Sequence, residues 1–217
     1  LANLPPTAMS TSNTLTLPAQ ARANQPAHPL WLRISHWLNV VAVVLLVMSG
    51  WRIYNAAPFF DFTFPRDITL GGWLGGAIQW HFAAMWLLAI NGLIYLARNT
   101  IAGRWQKRFW PIKPTEVLHD LGEALRGRLA HADLTHYNAV QKLAYLTAVI
   151  DLVVLVLSGL VLWKSVQFPL LRELMGGYEA ARRVHFFAMA LLCAFVAVHV
   201  AMVALVPRTL RLMVLGR

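Results

Sequence analysis

Four histidines, His36, His81, His185 and His199, fall inside long apolar stretches. An ionisable side chain is costly there and is by default a candidate for function. The last two share the run AARRVHFFAMALLCAFVAVHVAMVALV and stand fourteen residues apart. With about 3.6 residues per helical turn, that step returns both imidazoles to one face, within roughly 40°. At about 1.5 Å per residue they lie roughly 21 Å apart along the axis. Imidazoles at two heights on one helix face point to ligands for two stacked cofactors.

The elements that must position them are membrane spans. The chain has 217 residues, 58% hydrophobic and 13% charged, against about 45–50% and 25% in soluble domains. Four stretches supply the roughly 20 mostly apolar residues that a spanning helix needs: residues 30–54, 74–97, 139–163 and 180–206. The predicted fold is an all-α membrane protein, a four-transmembrane-helix bundle over residues 29–207. A disordered tail precedes it at 1–28, a long loop interrupts it at 98–138, and a short basic tail follows at 208–217. The tail is rich in Ala, Pro, Thr, Ser and Asn without an apolar period, which leaves it nothing to bury.

Charge sets the orientation. The N-terminal tail, the central loop and the C-terminus hold thirteen of the nineteen Lys and Arg residues, and the two other connections hold six. This is the positive-inside pattern, and it places both termini in the cytoplasm. The net charge of +10 is then matched to anionic lipid rather than to nucleic acid. In the central loop, Leu118, Leu121, Leu125 and Leu129 share one helical face. They mark either an interfacial amphipathic helix or a cytosolic helix packed on the bundle.

Depth then pairs the histidines. His36 begins a span at the inner face, and His199 lies well down a span that started outside. His81 and His185 each come early in spans that start outside. The pairs are therefore His36 with His199 and His81 with His185, joined through the last span. A lone intramembrane histidine is often a hydrogen-bonding link between helices; four in two same-depth pairs are better explained as ligands. Zinc normally takes three or four such ligands together, so two per level suit a haem iron with both axial positions filled. The only cysteine is Cys193, and no Cys-x-x-Cys-His motif is present, so the haems would be b-type and non-covalent.

The chain also repeats itself. His81-Phe-Ala-Ala-Met85-Trp-Leu-Leu88 aligns with His185-Phe-Phe-Ala-Met189-Ala-Leu-Leu192, and Val47-Met-Ser-Gly50 aligns with Val156-Leu-Ser-Gly159. Two spans per copy give a parallel two-helix duplication about an axis along the membrane normal. His36 has its counterpart at Tyr145, and His199 at Tyr95.

The order HPLWLRISHW, then WHF, then RRVHF followed by FVAVHV resembles the di-haem cytochrome b subunits of bacterial respiratory complexes. These include subunits of nickel–iron hydrogenase, formate dehydrogenase, thiosulfate reductase and molybdoenzyme partners. The resemblance runs from about Pro29 to Val206. It implies an inner haem on His36 and His199 and an outer one on His81 and His185. It also implies a bacterial cytoplasmic membrane, electron exchange with quinone, and a catalytic subunit or cytochrome docked outside.

Other residues carry two readings each. Arg33, Arg182 and Arg183 could clamp haem propionates or simply snorkel to the interface. Gly50 and Gly159 leave room for a macrocycle or for helix–helix contact. Asn138, Gln141 and Lys142 open the third span at the inner face, as a quinone site or as an ordinary polar helix start. Asp151, in mid-span, either bonds a neighbouring helix or serves a proton route. A quinone-linked enzyme acting on an outer-face anion such as superoxide, and a proton-coupled transporter, are the competing functions. A homo-oligomer is compatible with all three.

Overall fold

The computed structural model describes residues 29–102, 122 and 139–216. Among them the regular structure is helical, and four helices are long and apolar enough to cross a membrane. These are α1 (Leu30–Tyr54), α2 (Leu74–Ile101), α3 (Ala139–Lys164) and α5 (Tyr178–Leu205). With 25–28 residues each, they reach about 37–42 Å at about 1.5 Å per residue, more than a bilayer core of about 30 Å. Their outer faces stay apolar and exposed, as with Leu93 at 67% and Val198 at 64%. An all-α, multi-pass membrane protein is the fold the sequence predicts.

The helices pack as two hairpins, α1 on α2 and α3 on α5, with few close backbone approaches between hairpins. Within the first hairpin, the Asn91 side-chain N–H groups donate to the Ser35 carbonyl (2.8 Å) and to Asn39 Oδ1 (2.7 Å). In an apolar surrounding such a polar clamp fixes the register of α1 against α2, and it does so beside His36. A short helix α4 (Pro169–Leu174) leads into α5 through Gly176 and Gly177, both at positive φ. That conformation suits glycine and closes the turn tightly.

Three boundaries differ from the sequence reading. α2 runs on to Ile101, so Arg98 is helical and stacks over the Trp31 ring at 4.7 Å. Helical backbone bonds do not stop where the lipid does. α5 begins at Tyr178, directly after Gly177. The expected basic tail at 208–217 is instead a helix, α6 (Pro207–Leu215). Pro207 is tolerated at a first helical position, where no N–H partner is needed, and it turns the preceding Val206 out of the α region. The Arg33 guanidinium donates to the Met213 carbonyl (3.2 Å) and to the Val214 carbonyl at the end of α6, where carbonyls otherwise lack partners. The N-terminal tail 1–28, the loop from residue 103 and its amphipathic stretch lie outside the described residues.

The connection between α1 and α2 is an aromatic cap. Asn55 holds it closed by donating to the Phe64 carbonyl and accepting from the Phe64 N–H, both at 2.8 Å. Tyr54 packs against Phe59, Phe62 and Phe64 and reaches across to Phe186 on α5, ring centres 5.0 Å apart.

Candidate functional site

The four histidines meet in two couples, each bridging the two hairpins. The ring centres of His36 on α1 and His199 on α5 are 6.2 Å apart, and those of His81 on α2 and His185 on α5 are 6.4 Å apart. These are the couples that depth alone pairs. His81 and His185 are each the eighth residue of their helix; His36 is seventh from the start of α1, and His199 seventh from the end of α5.

The separations can be tested against a metal. A metal–imidazole bond is about 2 Å long, and a ring nitrogen lies roughly 1.1 Å from its ring centre. Two trans imidazoles on one ion therefore have centres about 6.3 Å apart. Both couples match that value. Among the described residues no group of three or more His, Cys, Asp or Glu could hold a metal. An iron held by either couple would take its remaining donors from a macrocycle such as haem b.

Serine fixes the ring orientation at the His81–His185 couple. Ser49 Oγ lies 2.6 Å from the Leu45 carbonyl and 3.0 Å from His81 Nδ1. A carbonyl cannot donate, so the hydroxyl hydrogen fills the first contact. His81 Nδ1–H then donates into Oγ, and the lone pair is left on Nε2. Ser158 repeats this on the other hairpin, 2.7 Å from the Val154 carbonyl and 2.9 Å from His185 Nδ1. Fixing a ligand's ring and tautomer through its second nitrogen is how metal-binding imidazoles are usually held. The glycine after each serine backs the ring. A Cβ at Gly50 would stand 3.6 Å from His81 Cε1, and one at Gly159 would stand 3.4 Å from His185 Cε1. These glycines therefore lie against the histidine rings themselves.

The other candidates have surroundings of their own. Arg33 is engaged with the carbonyls of α6. Arg182 pairs with Glu179 at 3.4 Å and lies over the Phe59 ring at 5.0 Å, while Arg183 is exposed. Lys142 is half-buried on α3; Asn138 and the Gln141 side chain lie outside the described residues. Asp151 is 5% exposed, and its Oδ2 has no hydrogen-bond partner among the described residues. The sequence reading passed over Ser49, Ser158, Asn91 and Tyr54. The Ser-Gly step shared by the two repeats was the available signal for the first two. Tyr54, one turn beyond Gly50, is 8% exposed, and its buried hydroxyl has no partner among the described residues. A buried orphan donor implies an acceptor, and a haem carboxylate is one such group.

Comparison with known proteins bears on these couples. The family profile described as prokaryotic cytochrome b561 matches residues 27–216. A protein from Azospira oryzae is 69% identical over 189 residues, covering 87% of this chain and 96% of its own. It is provisionally named protein-methionine-sulfoxide reductase subunit YedZ1.

Proposed function

The chain belongs to the prokaryotic cytochrome b561 family of haem-binding membrane proteins, and from that premise we propose that it carries electrons across a bacterial inner membrane. It does so between the quinone pool and an extracytoplasmic redox partner, with both termini in the cytoplasm. Two haem b groups are held, the inner by His36 and His199 and the outer by His81 and His185. The observation that carries this reading is the pair of imidazole couples at 6.2 and 6.4 Å, both anchored on α5. Haem held in this way supplies one-electron exchange with no open position for substrate.

The chain's own residues do the positioning. Ser49 and Ser158 hold the outer imidazoles in the tautomer that leaves the lone pair on Nε2. Asn91 holds the segment of α1 that carries His36. Tyr54, Arg182 and Arg183 offer donors and positive charge at the outer end, and Arg33 does so at the inner. Quinone is proposed to meet the inner end near Asn138, Gln141 and Lys142, at the start of α3. The relative's name supports a catalytic subunit acting on protein methionine sulfoxide as the partner.

The test is a haem-to-protein ratio with a reduced-minus-oxidised spectrum on the purified chain. Two low-spin haems per chain are expected, reducible by quinol. A colourless protein, or one haem per chain, would sink the reading.

The serines give a graded prediction. Loss of a partner to a metal ligand typically costs about 10–100-fold in affinity, roughly 1.4–2.8 kcal/mol. Ser158→Ala is expected to weaken uptake of one haem by that factor, and Ser158→Thr, which keeps a hydroxyl, to restore most of it. Titration of haem into the stripped protein measures both; equal affinities for all three would remove serine from the site.

A further inference from the structure

The two hairpins share one plan but differ at the inner level. The register that lays Ser49-Gly50 on Ser158-Gly159 lays His36 on Tyr145, and the register that lays His81 on His185 lays Tyr95 on His199. Contacts follow the same registers. Ser49 to His81 repeats as Ser158 to His185, with matching bonds to the carbonyl four residues back. His81 with His185 exchanges onto itself, so the outer couple lies on the internal two-fold. His36 with His199 exchanges onto Tyr145 with Tyr95. The structure joins those two tyrosines through their hydroxyls.

On α2, His81 and Tyr95 are fourteen residues apart, as His185 and His199 are on α5. The axial step of roughly 21 Å is therefore the same on both helices. Seen from the shared outer couple, the frame offers two equivalent inner places, one between α1 and α5 and one between α2 and α3. The first carries two imidazoles with ring centres 6.2 Å apart. In the second, the phenols are in direct contact, which leaves no room for an ion between them.

We propose that Tyr95 and Tyr145 fill and close a second inner cofactor place, built on the same frame as the His36–His199 place, for a metalloporphyrin held between two imidazoles. The hydroxyl bond ties α2 to α3 on the side where no cofactor bridges the hairpins. It confines the inner cofactor to the α1–α5 side, so that α5 alone serves both levels. Lys142 stands three residues before Tyr145, as Arg33 stands three residues before His36, so the cationic residue of this frame is kept on both sides. This inference rests on the proposed His36–His199 haem, and its test separates the two.

The test moves the inner site across the axis. His36→Tyr with His199→Tyr is expected to lower the haem-to-protein ratio from two to one. Adding Tyr95→His and Tyr145→His is expected to return it to two, with a low-spin bis-histidine signal in electron paramagnetic resonance. The retained outer haem reports in each variant that the bundle is folded. A quadruple variant that keeps one haem overturns this inference alone. A His36→Tyr/His199→Tyr variant that keeps both haems overturns the inner pair, and this inference with it. If the quadruple variant does not fold, Tyr95→His/Tyr145→His in the otherwise native chain is read instead. Additional low-spin haem there supports the inference, and a ratio unchanged at two overturns it.

Discussion

Alanine at His185 is expected to strip the outer haem and leave the inner one in place, whereas alanine at His199 does the reverse. Both residues sit on α5, fourteen positions apart, and each faces a different partner helix, His81 on α2 or His36 on α1. Losing one of two axial ligands removes a coordinate bond outright, so the loss exceeds the roughly 10–100-fold cost of disturbing an outer-shell partner. Each single variant should therefore hold about one haem per chain, well below a tenth occupancy at the altered level. The combined variant should be colourless. The bundle itself survives, because each helix keeps its apolar faces and the hairpins keep their own packing. Spectra of the three proteins, scaled to protein mass, decide the matter. If His185→Ala and His199→Ala each lost both haems while remaining helical, the two levels would not be independent and the pairing would fail.

Much of this was readable from residue types, for a physical reason. A histidine in an apolar helix is rare because its desolvation is costly, so its presence carries information. Helix spacing and the distribution of Lys and Arg convert that presence into pairs. Serine in such a helix carries almost none, since it ordinarily bonds the carbonyl four residues back. Ser49 and Ser158 do this too, and only their second contact, to the histidines, gives them a role. Arg33 was ambiguous because its partner, the end of α6, lies at the far end of the chain. No local pattern encodes such a meeting. The nine residues of α6 look like a short basic tail in sequence, because the contacts that anchor them to α1 are tertiary. The tyrosines opposite the inner couple were visible as counterparts in the repeat, but their bond to each other required the packed bundle.

Leucine at position 159 is expected to weaken haem binding at the His81–His185 level without unfolding α3. A methyl group there would stand 3.4 Å from His185 Cε1, an ordinary contact, so Gly159→Ala should keep the haem. It should also firm the helix by up to about 1 kcal/mol, since glycine is the poorer helix former. A leucine side chain extends past that methyl into space the ring holds, and either the ring or the helix must move. Overfilling a packed site costs about 1–3 kcal/mol, roughly 5- to 150-fold in haem affinity. The ring is the element that gives way, because Ser158 holds it through a single bond of 2.9 Å, whereas α3 is pinned along its length by backbone bonds. Gly50→Leu acts on His81 from a looser starting contact of 3.6 Å and should cost less. Haem titration of the stripped Gly159→Leu, Gly159→Ala and Gly50→Leu proteins ranks the three. Equal affinity in the two Gly159 variants would mean that the glycine serves helix packing rather than the histidine ring.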